Sequence, residues 1–302
     1  MSQYRADGLL IIVTAIWGSS YLFMKMGLTG MADFQLIAWR FAVAFVLTAI
    51  LFYKKIRRSN WHTIRDGAVL GGLLFAVFST LMIGIRTTSA TKAGFLVSLT
   101  IIFVPLISAL VWHQKIGKKN LVSLLIAIVG LYMLTGLGTA SGTVTDGDLW
   151  CMTSAFFNAC YLIAADHLTK KNDSIALGIW QLGFTAALAI VCLLLFEQPQ
   201  WPEGSHEWAA IFGLGILCSA IGYTMQSVAQ KHTTSVHASM IFTLEPVFAA
   251  LFSGIFSSDF LSGNEWVGAS LLLISVILSI RQPKKRKPLS TEKRDMRSVS
   301  RV

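Results

Sequence analysis

Charged side chains interrupt stretches that are otherwise apolar. Glu245, followed at once by Pro246, lies in "HTTSVHASMIFTLEPVFAAL" at 232–251, and Arg40 lies in "LIAWRFAVAFVL" at 36–47. At the centre of a membrane helix a charge costs about 2.5–3.5 kcal/mol even on the lenient insertion scale. Such residues therefore serve either chemistry or a structural latch between helices. A carboxyl like Glu245 must be protonated, paired or facing water, and could act as a proton-responsive gate or, neutral and hydrogen-bonded, as a latch between helices. Arg40 keeps its charge and needs an anionic or carbonyl partner, so it could anchor a substrate carboxylate. It could equally snorkel or join helices. Pro246 has no amide hydrogen and removes the helical partner of the Phe242 carbonyl; Pro105 does the same to Ile101. Freed carbonyls at membrane depth are tolerated where they line a cavity or meet another protein group. The two prolines read either as hinges of a gate or as kinks satisfied by neighbouring helices.

Weaker signals surround them. Ser219, Tyr223, Gln226 and Gln230 share one helical face, as do Ser154, Asn158 and Tyr161, and Thr14, Gly18 and Tyr21. Polar faces of this kind line an aqueous cavity or bind helices together. Trp17, Trp39 and Trp180 could wall a site for apolar or cationic solutes, or anchor the membrane interface. The candidate substrate cavity is thus Trp17, Tyr21, Arg40, Ser98, Asn158, Tyr161, Trp180, Gln181, Tyr223 and Gln226. The candidate gating or proton sites are Glu245, Pro246 and Pro105. No catalytic residue, metal site or cofactor is expected. "HExxH", "GxSxG" and a phosphate-binding "GxxxxGK[ST]" loop do not occur. Cys151, Cys160, Cys192 and Cys218 fall in apolar runs without metal-type spacing.

The elements that must position these groups follow from composition. The chain has 302 residues, 54% hydrophobic and only 13% charged, against about 25% charged in soluble domains. A span needs about 20 mostly apolar residues, and that ruler finds runs at about 8–27, 33–53, 67–85, 92–113, 119–137, 148–166, 175–196, 208–228, 237–257 and 263–281. The predicted fold is an all-α integral membrane protein of ten transmembrane helices, with the lipid bilayer as its solvent. Lys54, Lys55, Arg57, Arg58, Lys115, Lys118, Lys170, Lys171, Lys231 and the bases after Arg281 then fall on one side, which places both termini in the cytoplasm. The net charge of +10 is mostly this topological bias, so nucleic acid is not an expected partner. Residues 282–302 read as a basic cytoplasmic tail without a fold of its own.

A self-similarity organises the spans. "TTSATKAGFLVSL" matches "HTTSVHASMIFTL", with Thr88 on Thr233, Ala93 on Ala238, Ser98 on Thr243 and Leu99 on Leu244. A four-residue slip then puts Pro105 on Pro246. Five spans repeated make an odd-numbered duplication, so the copies at 8–137 and 148–281 enter the membrane from opposite sides. Inverted repeats of this kind build many secondary transporters, with substrate held near the midplane.

"AIWGSSYLFMKMGL" at 15–28, "LIAWRFAVAFVL" at 36–47, "GDLWCMTSAFFNACYLIAADHL" at 147–168 and "TLEPVFAAL" at 243–251 together resemble the EamA-type permeases of the drug/metabolite transporter superfamily. The resemblance implies ten helices in two inverted EamA repeats and a bacterial inner-membrane location. It also implies export or facilitated passage of small metabolites such as amino acids. One departure stands out. The Gly-Glu that the family commonly carries is replaced by "WHQKIG" and "SSDFLSG", where only Asp259 offers a partial substitute. The alternatives are efflux of drugs or cationic compounds and, further off, a passive channel or an intramembrane enzyme. The chain leaves a homodimer open.

Overall fold

The computed structural model describes residues 1–87, 93, 96–112, 118–134, 145–257 and 263–280. Helices follow one another in the order α1 (Gln3–Gly27), α2 (Asp33–Leu51), the short α3 (Tyr53–Arg57), α4 (Trp61–Ile85), α5 (Thr100–Trp112), α6 (Lys118–Leu134), α7 (Asp146–Lys171), α8 (Ser174–Phe196), α9 (Ser205–Gln230), α10 (Ser235–Phe242), α11 (Glu245–Ser257) and α12 (Gly263–Ile280). No strand occurs among the described residues. Among the described residues six helical stretches are long and apolar enough to cross a membrane, and three further apolar stretches are shorter. α7 has 26 residues but carries acids in its first turn and lysines in its last, which lowers its mean hydropathy. The surface is apolar too: Ile50, Leu110, Leu195 and Phe256 are each at least 70% exposed. Water would oppose that arrangement, whereas lipid is indifferent to it.

Helix ends are secured by polar groups from neighbouring elements. Thr145 and Asp148 form a reciprocal capping box at the start of α7, and Asp173 accepts from the amides of Ile175 and Ala176 at the start of α8. Glu197, at the end of α8, accepts from the amides of Phe34 and Gln35 at 3.1 Å each, satisfying the N-terminus of α2. Lys55, just beyond α2, pairs with Asp173. These two clasps at opposite ends fix α2 and α8 as antiparallel neighbours.

The principal packings come in matched pairs. α2 lies on α9 as α8 lies on α4; α1 lies on α11 as α7 lies on α5; α4 lies on α7 as α9 lies on α1. The α6–α12 and α2–α8 pairs are their own counterparts. α6 and α12 touch most closely at Gly130 and Gly268. A Cβ on Gly268 would stand 2.4 Å from the Leu134 amide nitrogen and 2.6 Å from the Gly130 carbonyl oxygen, so this crossing requires glycine.

Beside Pro246 the helix is broken rather than merely bent. Pro246 does not bend one continuous helix: α10 ends at Phe242, Thr243 and Leu244 form a turn, and α11 starts at Glu245. Pro246 occupies the first turn of α11, where an amide would have no helical acceptor in any case. In the other half, residues 96–98 are helical, the turn falls at Leu99, and α5 begins at Thr100 with Pro105 in its interior. The two breaks thus coincide at the aligned residues Leu99 and Leu244, not at the slipped prolines. Thr88, "WHQKIG", Asp259 and the tail at 282–302 lie wholly or partly outside the described residues.

Candidate functional site

Arg40 belongs to the buried face of α2 and is only 3% exposed. Its Nε donates to Ser219 Oγ at 2.6 Å. Its guanidinium carbon stands 4.6 Å from the Phe78 ring centroid and 5.2 Å from that of Phe41, within the range of cation–π attraction. These partners orient the charge without neutralising it. The opposing charge is Glu245, the first residue of α11, whose carboxyl lies within reach of the Tyr21 hydroxyl and in the field of Arg40.

Both groups border one cavity of about 70 Å³ at the meeting of α1, α2, α4, α7, α9 and α11. Trp17, Tyr21, Asn158, Tyr161 and Tyr223 complete its polar and aromatic wall; Met24, Val77, Phe78, Leu81 and Val97 supply the apolar part, with Ser20 beside them. That volume holds roughly two waters at about 30 Å³ each. It is smaller than a metabolite.

α9 adapts to this site by widening. Residues Gly213–Ile221 are π-helical, a geometry with one extra residue in the turn that recurs at functional positions. Trp17 Nε1 donates to the Cys218 carbonyl in this segment at 2.9 Å. A Cβ on Gly222 would lie 2.7 Å from the same Trp17 nitrogen, so glycine there admits the indole. Trp17 also packs against Tyr223 at 5.0 Å and Phe242 at 5.1 Å between centroids.

The sequence candidates divide into two sets. Trp17, Tyr21, Arg40, Asn158, Tyr161, Tyr223 and Glu245 share the cavity. Gln181 and Gln226 stand behind it, their Oε1 atoms 3.2 and 3.1 Å from the Tyr161 hydroxyl, which has one proton and donates to one of them at a time. Trp180 packs on Phe45 and Phe184 instead. Ser98 adjoins the Leu99 turn, but the lining residue there is Val97. Pro105 and Pro246 are not among the lining residues. The polar face expected on α9 is split by the π segment: Ser219 serves Arg40, Tyr223 faces the cavity, Gln226 meets Tyr161, and Gln230 Nε2 donates to the Leu162 carbonyl at 3.4 Å. Leu81, Phe78 and Val77 went unnoticed in the sequence because an apolar lining residue looks like any other apolar residue of a span.

Exchanging the matched helices exposes an asymmetry. Arg40 and Gln181 are each the eighth residue of their helix and each follows a tryptophan, Trp39 or Trp180; Glu245 and Thr100 each open the helix after the turn. Tyr21 and Tyr161 correspond by sequence, each standing four residues after an aromatic, Trp17 or Phe157, and just before a leucine. One set carries both charges, and the other is neutral, with Asn158 Nδ2 donating to Thr100 Oγ1 at 3.3 Å.

A larger groove of about 740 Å³ runs between α1, α9 and α11, lined mainly by Ile12, Ile16, Phe23, Leu217, Phe252 and Phe256. Ser19 in that groove donates to the Ile16 carbonyl of its own helix. The groove offers no group that would orient a polar solute. Among the described residues, no group of three or more His, Cys, Asp or Glu could hold a metal ion.

The profile of the EamA-like transporter family matches residues 5–136 and again 145–281. The chain belongs to the EamA-like transporter family. This transporter is 28% identical to an uncharacterized transporter of Archaeoglobus fulgidus over 92% of its own length and 86% of the relative's. It is 22% identical to the uncharacterized transporter YoaV of Bacillus subtilis, over 89% of its length and 94% of that protein. It is 23% identical to a chloroplastic WAT1-related protein of Arabidopsis thaliana, over 87% of its length and 66% of that protein. A crystal structure covering 92% of the transporter and 97% of the compared chain superposes with a TM-score of 0.79 at 20% identity, a likeness of fold. The protein is accordingly a multi-pass membrane transporter of the drug/metabolite type.

Proposed function

We propose that this transporter exports small metabolites that carry both a carboxylate and an ammonium group, amino acids foremost, across the bacterial inner membrane by alternating access. The observation that carries the reading is the presence of Arg40 and Glu245 on the wall of one cavity. A zwitterion meets each charge with its opposite and leaves neither protein charge bare, as buried charges require. Tyr21, Asn158, Tyr161 and Tyr223 supply neutral hydrogen-bonding groups around the pair. A lone cation would gain Glu245 but also face a guanidinium that cannot lose its proton. The cavity would enlarge when it opens to either side. On this reading ten spans form two inverted repeats, 8–137 and 148–281, with both termini cytoplasmic. The two family matches, the paired packings and the coincident breaks at Leu99 and Leu244 support it.

Efflux of lipophilic cations is the second reading, favoured by the rings of Trp17, Phe78 and Tyr223 around the site. Thermal stabilisation of purified protein against amino acids, organic acids, nucleosides, sugar phosphates and cationic drugs separates the two. A ligand at a hundred times its Kd adds about 2.7 kcal/mol. Stabilisation by amino acids that disappears in Arg40→Gln supports the zwitterion site. Stabilisation by lipophilic cations alone, retained in Arg40→Gln and lost in Glu245→Gln, supports the second.

A further inference from the structure

α10 is an eight-residue helix with a break at each end, at 231–234 and at Thr243–Leu244. It spans about 12 Å at 1.5 Å per residue. Its first turn is held from two sides. Asp166 of α7 accepts from the Ser235 amide at 2.8 Å and is itself paired with Lys170. His237 Nε2 lies 3.1 Å from Asp7 Oδ1 of α1, with the two side chains 10% and 3% exposed. The two groups thus meet as a buried polar contact between α10 and α1. α1 and α7 are counterparts in the paired packing, so α10 is clasped by one carboxylate from each half of the molecule.

The two ends of α10 border two different spaces. At the Ser235 end lies a polar pocket of about 300 Å³ lined by Ser108, Asp166, His167, Lys170 and Thr234 among others, on the side that the lysines assign to the cytoplasm. At the far end Phe242 packs on Trp17, a wall of the central cavity, and Glu245 follows after the two-residue turn. The helix therefore stands between a cytoplasmic vestibule and the substrate site.

We propose that α10 is the cytoplasmic gate and that the Asp7–His237 pair is its latch. Desolvation offsets most of the attraction between buried polar partners, so such a contact contributes little net stability, yet separating the partners leaves each buried and unmatched, which favours the arrangement in which they meet. That balance suits a contact that must break once per cycle. Release at His237 would free α10 to turn about the Thr243–Leu244 break, withdrawing Phe242 from Trp17. The latch rests on the alternating-access reading above.

The test needs no substrate. With Cys151, Cys160, Cys192 and Cys218 replaced, Leu81→Cys puts a single thiol in the cavity wall, away from the pair. Its labelling by a membrane-impermeant maleimide is compared in inside-out and right-side-out vesicles. Asp7→Asn and His237→Gln should each raise cytoplasmic labelling by about tenfold or more, as expected when a contact that favours one state is removed, and should lower labelling from the other face. The exchange Asp7→His with His237→Asp should return both rates toward the parent. Unchanged rates in both single variants would overturn the latch. An equal rise from both faces would overturn it too, since that reports general loosening. A parent protein labelled rapidly from both faces at once would refute alternating access itself and remove the latch with it.

Discussion

Arg40 and Glu245 differ in one respect that a stability cycle can read: a carboxyl can neutralise itself by taking up a proton, and a guanidinium cannot. Glu245→Gln leaves Arg40 buried at 3% exposure with a neutral hydroxyl from Ser219 and two ring faces. The two ring contacts contribute about 0.5–2 kcal/mol each, but neither they nor the hydroxyl is a counter-charge. Removing one partner of a buried ion pair costs about 3–5 kcal/mol. Because Glu245 borders a cavity that water can enter, about 3 kcal/mol is expected here. Arg40→Met leaves the carboxyl with the Tyr21 hydroxyl and the option of protonation, so its cost should be about 1–2 kcal/mol. With both charges removed neither penalty applies, and the double variant should lose only about 2–3 kcal/mol, a coupling of about 2 kcal/mol. Reversible unfolding in mixed micelles at pH 7 without substrate measures all four corners. Additivity within about 0.5 kcal/mol, or a larger loss in Arg40→Met than in Glu245→Gln, would refute the view that the two charges compensate each other.

Three further outcomes follow from the structure. Gly268→Ala forces a Cβ against the backbone of Leu134 and Gly130 and should cost about 1–3 kcal/mol of stability, whereas Gly72→Ala, mid-helix in α4 with nothing within 4 Å of the new Cβ, should add about 0.5–1 kcal/mol; the same unfolding assay compares them. Trp17→Phe keeps the ring but strips the Cys218 carbonyl of its donor, which should cost about 1–3 kcal/mol and speed amide exchange in the π segment of α9; unchanged exchange there would show that the indole does not secure it. Asp173 is pushed up by partial burial, but its hydrogen bonds to Lys55 and to the amides of Ala176 and Ile175 outweigh that and hold its carboxyl below the usual carboxylate range. A lowered carboxyl contributes stability above its unfolded pKa and loses it as pH falls through the folded value, so Asp173→Ala should cost about 1 kcal/mol or less at pH 7, given the exposed setting, and the difference from the parent should vanish on acidification. A difference that persists unchanged in acid would point to packing instead.

The class of the protein was legible without coordinates because lipid imposes a long-range constraint on composition. Runs of about 20 apolar residues, sorted by the lysines and arginines between them, specify helices and their direction with no knowledge of neighbours. The cost of an intramembrane charge likewise singled out Arg40 and Glu245. Helical periodicity added Tyr21, Asn158, Tyr161 and Tyr223, each later found on the cavity wall. Pro246 stood out only through its missing amide. Covalent structure says only that proline withholds an amide; whether that matters depends on where the helix starts, and α11 starts one residue earlier.

Partnership belongs to the tertiary structure alone. A side chain's helical face is local information, but the face it meets comes from segments far away in the chain: Ser219 reaches Arg40 across 179 positions, and Gln181 and Gln226 converge on Tyr161 from separate helices. For that reason Gln181 read as a lining residue and proved to stand behind one, and Asp7, an unremarkable acid near the start of the chain, became half of a buried pair with His237. The sequence by itself determined that helices would cross lipid and which rare polar groups they would carry, since the bilayer charges the same desolvation cost wherever a segment lies. Only packing decided which of those groups face one another, because burial and distance are properties of the assembled bundle.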